Sequence, residues 1–168
     1  TYNQRFNRLR FRARAQLQQF NFDDVRTTTG ITNNDDRDRD VQSYLARFGY
    51  EWRSGWIAFV EGEINDRDYD SAVDDAGVNR DNDGYRLRGG IRVELTDLIT
   101  GEVQAGIFEQ EYVDPTLNDP EGFDYTGNIR WTVTGLTRLT FNGSRSVNET
   151  TSAGAAATVR SGLGVRVD

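Results

Sequence analysis

The chain has 168 residues and a formal net charge of −7, with 27 acidic residues against 20 basic ones; it contains no Cys, His, Met or Lys, so every basic side chain is Arg. This leaves no disulfide framework, no zinc site of the usual ligands, no thiol nucleophile and no Ser-His-Asp triad, and the acidic balance argues against nucleic acid, itself a polyanion, as a partner. No apolar run of about 18 residues is present to form a membrane-spanning helix, although a mean hydropathy of −0.72 cannot register a chain that is apolar at every second residue.

Such an alternation begins at Arg8. Leu9, Phe11, Ala13, Ala15 and Leu17 fall on one face and Arg8, Arg10, Arg12, Arg14 and Gln16 on the other, which is the period of a strand and not of a helix. The second strand sets Tyr44, Ala46, Phe48, Tyr50 and Trp52 against Ser43, Leu45, Arg47, Gly49 and Glu51. The third sets Trp56, Ala58, Val60, Gly62 and Ile64 against Ile57, Phe59, Glu61, Glu63 and Asn65. A fourth, from Tyr85 to Leu95, has Leu87, Ile91 and Val93 opposite Arg86, Arg88, Arg92 and Glu94. The fifth, about Gly101 to Tyr112, opposes Val103, Ala105 and Ile107 to Glu102 and Gln104, with a mixed outer end. In the sixth, Phe123, Tyr125, Gly127, Ile129, Trp131 and Val133 alternate with Asp124, Thr126, Asn128, Arg130 and Thr132. The seventh places Leu139, Phe141, Gly143 and Val147 against Arg138, Thr140, Asn142, Ser144 and Ser146, with Arg145 interrupting its apolar side, and the eighth places Ala155, Ala157, Val159, Leu163, Val165 and Val167 against Thr158, Arg160 and Arg166. The expectation is one domain over residues 1–168, all-β, of eight antiparallel strands and no helix.

The connections alternate in length. Arg53 to Gly55, Asp97 to Thr100 and Thr134 to Thr137 are hairpin turns, whereas Asp23 to Asp40, Asp66 to Gly84, Val113 to Gly122 and Asn148 to Gly154 are longer. Both prolines, Pro115 and Pro120, fall in one long connection, where no ladder hydrogen bond is lost. An up-and-down barrel with all its long loops at one end follows.

Period alone does not say which face is inside, since lipocalin-like carriers point the apolar face inward and membrane barrels point it outward. Three features favour outward. The loop asymmetry is that of a membrane barrel; aromatics stand at both strand ends, Tyr50, Trp52 and Trp56 by a short turn and Phe20, Phe22, Tyr85, Phe123 and Tyr125 by the long loops; and the polar face lacks the Lys that a solvated surface uses freely.

The stretch from Thr96 to Gly154, with GEVQAGIFEQEY, an Asp/Pro-containing loop and the strand–turn–strand from Tyr125 to SRSVNETTS, resembles the putative beta-barrel porin family 2; the likeness is good over residues 85–168 and looser before them. The resemblance implies the outer membrane of a Gram-negative bacterium and, for many relatives, a place in exopolysaccharide secretion. It also implies a longer chain with more strands, in keeping with the missing initiating Met and with a Val165-Arg166-Val167-Asp168 end that lacks a terminal aromatic.

With the apolar face outward, the opposite face lines a lumen. Parity puts Arg8, Arg10, Arg12, Arg14, Arg47, Arg86, Arg88, Arg92, Arg130, Arg138, Arg160 and Arg166 there, against Glu51, Glu61, Glu63, Glu94, Glu102 and Asp124. Guanidinium groups stay charged and bind carboxylates bidentately, so this basic wall either selects anions, uronate or sulfated polysaccharide included, or, in a closed eight-stranded barrel, becomes a salt-bridged plug. Glu61 and Glu63, about 6.6 Å apart by strand rise, also fall within glycosidase spacing, but salt-bridging to the facing Arg accounts for them and no catalytic residue is expected.

The loops carry the opposite sign, with 13 of the 27 acids in the first two long connections. Asp66, Asp68, Asp70, Asp81 and Asp83 are weak candidates for calcium, since neither DRDYDSAVDDAG nor NRDNDG meets the EF-hand pattern; solvated, mobile acidic loops are the expectation. No cofactor is expected. The function expected is a non-enzymatic, porin-like passage for anionic solutes or exopolysaccharide, in contact with outer-membrane lipid, lipopolysaccharide and a secretion-system partner. Two alternatives stand beside it: a plugged barrel that anchors adhesive acidic loops, and a soluble eight-stranded carrier of an apolar ligand.

Overall fold

A computed structural model describes residues 1–27, 30–32, 35–75, 77–96, 98–149 and 157–168. Its strands are β1 (Tyr2–Phe6), β2 (Leu9–Phe20), β3 (Val25–Thr27), β4 (Gly30–Thr32), β5 (Arg39–Arg53), β6 (Trp56–Tyr69), β7 (Asn82–Thr96), β8 (Ile99–Tyr112), β9 (Glu121–Thr134), β10 (Thr137–Glu149) and β11 (Ala157–Val167), with one short 3-10 turn at Asp35–Arg37. Nine of them form a single antiparallel sheet in the order β1-β2-β5-β6-β7-β8-β9-β10-β11, and β3 and β4 make a separate small hairpin in the first long connection. All eight expected strands are present, the eighth from Ala157, since Ala155 lies outside the described residues. The ninth is β1, ahead of the alternation that begins at Arg8: Tyr2–Phe6 folds back on Leu9–Ala13 around Asn7, whose φ of 53° is one that Asn tolerates in tight turns. Five residues with a single interior alternation are too few for periodicity to detect.

Four two-residue turns close one end of the sheet, between paired residues Phe6 and Leu9, Arg53 and Trp56, Thr96 and Ile99, and Thr134 and Thr137. At the last three the register slips by one residue, the added twist that a bulge supplies at a rim. The opposite end carries the long connections. They rise on strands longer than the alternation indicated, since β6 continues to Tyr69 and β7 begins at Asn82.

Burial is the reverse of that in a water-soluble sheet. Along β5, Tyr44, Phe48 and Tyr50 are 47%, 60% and 47% exposed, while Val41, Ser43, Leu45, Arg47, Gly49 and Glu51 are the sheltered positions. The pattern extends to Leu17, Val60, Ile64, Leu87, Ile107 and Leu163, all on the exposed face. The sheet curls with its polar face inside. Arg10 Nη1 on β2 lies 3.4 Å from Glu94 Oε2 on β7, and Arg47 Nη1 on β5 lies 2.8 Å from Glu102 Oε1 on β8. Each pair spans three strand spacings of about 4.8 Å, which two side chains bridge only across a concave surface. A carrier that holds an apolar ligand inside needs the opposite curl.

Candidate solute-facing surface

Register sets the polar face in rows. Arg12, Arg47, Glu61, Arg88, Gly106 and Asp124 stand side by side on β2, β5, β6, β7, β8 and β9, and their charges interlock. Arg47 Nε donates to Glu61 Oε2 at 2.6 Å, Arg88 Nη1 lies 3.5 Å from Glu61 Oε1, and Arg88 Nη2 donates to Asp124 Oδ2 at 2.7 Å. Gly106 sits between the last two partners, so no side chain interrupts their contact. In the next row Arg86 Nη1 is 3.6 Å from Glu63 Oε2. Its Nε lies 2.8 Å from Asp124 Oδ2 but makes no hydrogen bond, so that contact is one of charge without alignment. Towards the short turns Glu51 takes Arg5 and Arg10, Glu94 takes Arg10 and Arg92, and Glu102 takes Arg47 and Arg92.

This network is packed as well as paired. The Arg47 guanidinium lies 4.0 Å from the centre of the Phe59 ring, a cation–π contact made stronger by its shelter. Phe59 and Ile57, two residues before it on β6, are buried on the polar face. Gly49 and Gly90 flank Phe59, and a Cβ on Gly90 would collide with the Phe59 ring. Glu61 and Glu63 are therefore ion-pair partners of Arg47, Arg86 and Arg88.

The expected basic and acidic residues that stand on strands share the register of this face, Arg166 opposite Thr140 among them, whereas Arg8 lies in the turn between β1 and β2. Arg10, Arg47, Arg86, Arg88 and Arg92 are bound by Glu51, Glu61, Glu63, Glu94, Glu102 and Asp124, on strands β2 to β9. Arg14, Arg130, Arg138 and Arg160, on β2, β9, β10 and β11, are exposed and form no ion pair among the described residues. Arg12 meets only the neutral Asn3, its Nε donating to Oδ1 at 2.9 Å.

Near the long connections the wall changes to amides. Gln110 Nε2 donates to Asn65 Oδ1 at 3.1 Å and to Asn82 Oδ1 at 2.6 Å, with Asn82 and Gln110 both buried. Arg39 stands above them among the rings of Phe20, Phe22 and Tyr69, at 4.9, 5.8 and 5.6 Å. Phe20 and Phe22 therefore do not belong to an outward girdle with Tyr85 and Phe123. Phe20 has the parity of Arg12 and Arg14, and the alternation already held that signal. Asn82, Gln110 and Phe108 escaped because the sequence ends those strands too early or reads them as mixed.

The acidic connections are tied rather than loose. Phe22 N–H donates to Asp38 Oδ1 at 2.7 Å, Tyr69 N–H to Asp81 Oδ1 at 2.7 Å, and Val78 N–H to Asp74 Oδ1 at 3.0 Å. Asp114 accepts from the Thr116 hydroxyl at 2.6 Å, the Thr116 amide at 2.9 Å and the Asn79 amide at 3.2 Å. These bonds, the Thr116 hydroxyl first, hold its carboxyl below the usual range, against desolvation and the like charge of Asp74, which both push it up. Of the calcium candidates, Asp66 stands opposite Asp83 and Asp68 opposite Asp40, and Asp81 accepts from the Tyr69 amide. Among the described residues no three carboxylates are placed to hold a metal ion.

An apolar convex surface, a charged concave one and long loops at one end are the attributes of a membrane barrel wall. A family model described as putative beta-barrel porin 2 matches residues 1–168. The chain belongs to this family. No curated protein matches it significantly. In a beta-barrel porin the exposed aromatics and aliphatics of β2 to β11 are the membrane surface, and the rows of Arg and Glu are the opposite wall.

Proposed function

We propose that this porin wall lines an outer-membrane passage for anionic solutes, including acidic exopolysaccharide. The observation that carries the reading is the division of the arginines. The acids are gathered on the central strands, so Arg14, Arg130, Arg138 and Arg160 present charge that no neighbouring carboxylate among the described residues neutralises. Arginine in that state attracts anions and orients carboxylates and sulfates, whereas the paired arginines of the centre act as scaffold. The Gram-negative outer membrane, contact with lipopolysaccharide and a secretion partner belong to the same proposal; the family supports a membrane barrel.

Planar-bilayer recording of the native protein tests it. Wild type should carry more anion than cation, and Arg14→Glu with Arg130→Glu should lower or reverse that preference. A correctly inserted protein that stays electrically silent would remove the passage and leave the anchor. That second reading is favoured by the loop ties, which present a fixed acidic surface: Asp70 N–H bonds Asp38 O at 2.9 Å and Val113 N–H bonds Asp81 O at 3.0 Å.

A further inference from the structure

We infer that the short-turn end of the polar face holds a binding site for a small carboxylate with an apolar body. A cavity of about 330 Å³ opens there, at the small end of the range for small-molecule sites. Five of its lining side chains are arginines: Arg5, Arg10, Arg12, Arg47 and Arg92. Among the described residues none of the lining is acidic. Glu51, Glu94 and Glu102, which pair with Arg10, Arg92 and Arg47, fix those guanidinium groups without themselves lining the cavity.

Two donors there are not saturated. Arg10 Nε is buried with no hydrogen-bond partner, and an orphaned donor of that kind costs free energy until something accepts from it. Arg12 gives its Nε to Asn3 and forms no ion pair among the described residues, so its terminal nitrogens are open to a forked bond with a carboxylate. The rest of the lining includes the amides Asn3 and Gln4, and Ile57 and Phe59 give the cavity an apolar side. They are the only buried apolar residues of β6, 3% and 5% exposed, and they interrupt an otherwise charged wall.

A small inorganic anion satisfies the guanidinium groups and leaves the Ile57–Phe59 side wet, while a neutral aromatic does the converse. A ligand that is apolar at one end and a carboxylate at the other satisfies both. The inference rests on the reading of this face as open to solutes, and it adds a place where a solute stops. The probe is 4-fluorobenzoate, followed by fluorine NMR with the full chain folded in detergent micelles; 4-fluorobenzamide and fluoroacetate are the controls. Saturable binding of 4-fluorobenzoate, at least about tenfold tighter than either control, is expected. Arg12→Gln lies outside the ion-pair network and should fold normally, with binding weakened about tenfold; Arg12→Lys should recover part of it. Equal binding of fluoroacetate, or binding unchanged in Arg12→Gln, would overturn the site. Binding in micelles needs no conduction, so benzoate bound by an electrically silent protein sinks the passage alone, and anion current without benzoate binding sinks this site alone.

Discussion

Asp124 is 2% exposed, and its two oxygens face two arginines, Arg86 and Arg88. A carboxylate so enclosed persists only because both partners are charged and one bond is well aligned. Its removal leaves the two sheltered guanidinium groups only their longer contacts, Arg86 with Glu63 and Arg88 with Glu61 and Glu63. Asp124→Ala should therefore destabilise the folded protein by roughly 3 kcal/mol or more, and Asp124→Asn, which keeps one acceptor oxygen but loses the charge, by less. Asp124→Leu combined with Arg88→Met should fall short of the sum of the two single losses, since it removes both members of one pair. Urea unfolding in lipid of Asp124→Ala, Asp124→Asn, the singles Asp124→Leu and Arg88→Met, and their double measures this, and a simple sum of the single effects would show the pair to be uncoupled.

Elements in this chain were legible to the degree that their alternation was long. β5 and β9 have well over ten residues of strict period two, and the face of every Arg and Glu followed by parity. The partners did not follow. That Arg47 meets Glu102 three strands away depends on curl, which no period encodes. Nor did parity separate the paired arginines from Arg14 and Arg130, because neutralisation depends on which neighbouring row holds acids. The connections were the least legible, since an Asp that caps a backbone amide reads in sequence like any solvated acid. Asp114 shows how such a tie behaves. Its carboxyl is held below the ordinary range by Thr116 and Asn79, so the link between the β6–β7 and β8–β9 connections is complete above about pH 4. It weakens as pH falls through the lowered value, because the released form takes up the proton first. Amide exchange at Asn79 and Thr116 should be pH-independent, beyond the intrinsic chemistry, above about pH 5 and lose protection below about pH 4. Asp114→Asn should abolish that dependence, and protection that rises with acid would contradict the tie.

The sheet as a whole ends in two edges, β1 and β11, neither paired with the other. Both run from the long-loop end to the short-turn end, as the antiparallel order over nine strands requires. Joined directly they would be parallel, and a second copy in the same membrane orientation would again set β11 beside a strand of its own direction. An antiparallel ring has an even number of strands, so β1 and β11 cannot close the sheet by pairing with each other, and each edge calls for an antiparallel partner. Lipid enforces it, because an unpaired N–H or C=O in the hydrocarbon region costs several kcal/mol. Val159, Leu163, Val165 and Val167 place β11 within that region by their exposed apolar face. Hydrogen–deuterium exchange of the native protein in liposomes distinguishes the outcomes. If the edges are paired, every backbone amide of residues 159–166 should be protected, including the alternate ones that point away from β10. Fast exchange at every second residue of β11 would mean a free edge facing water, and the apolar face would then need a different account from membrane burial.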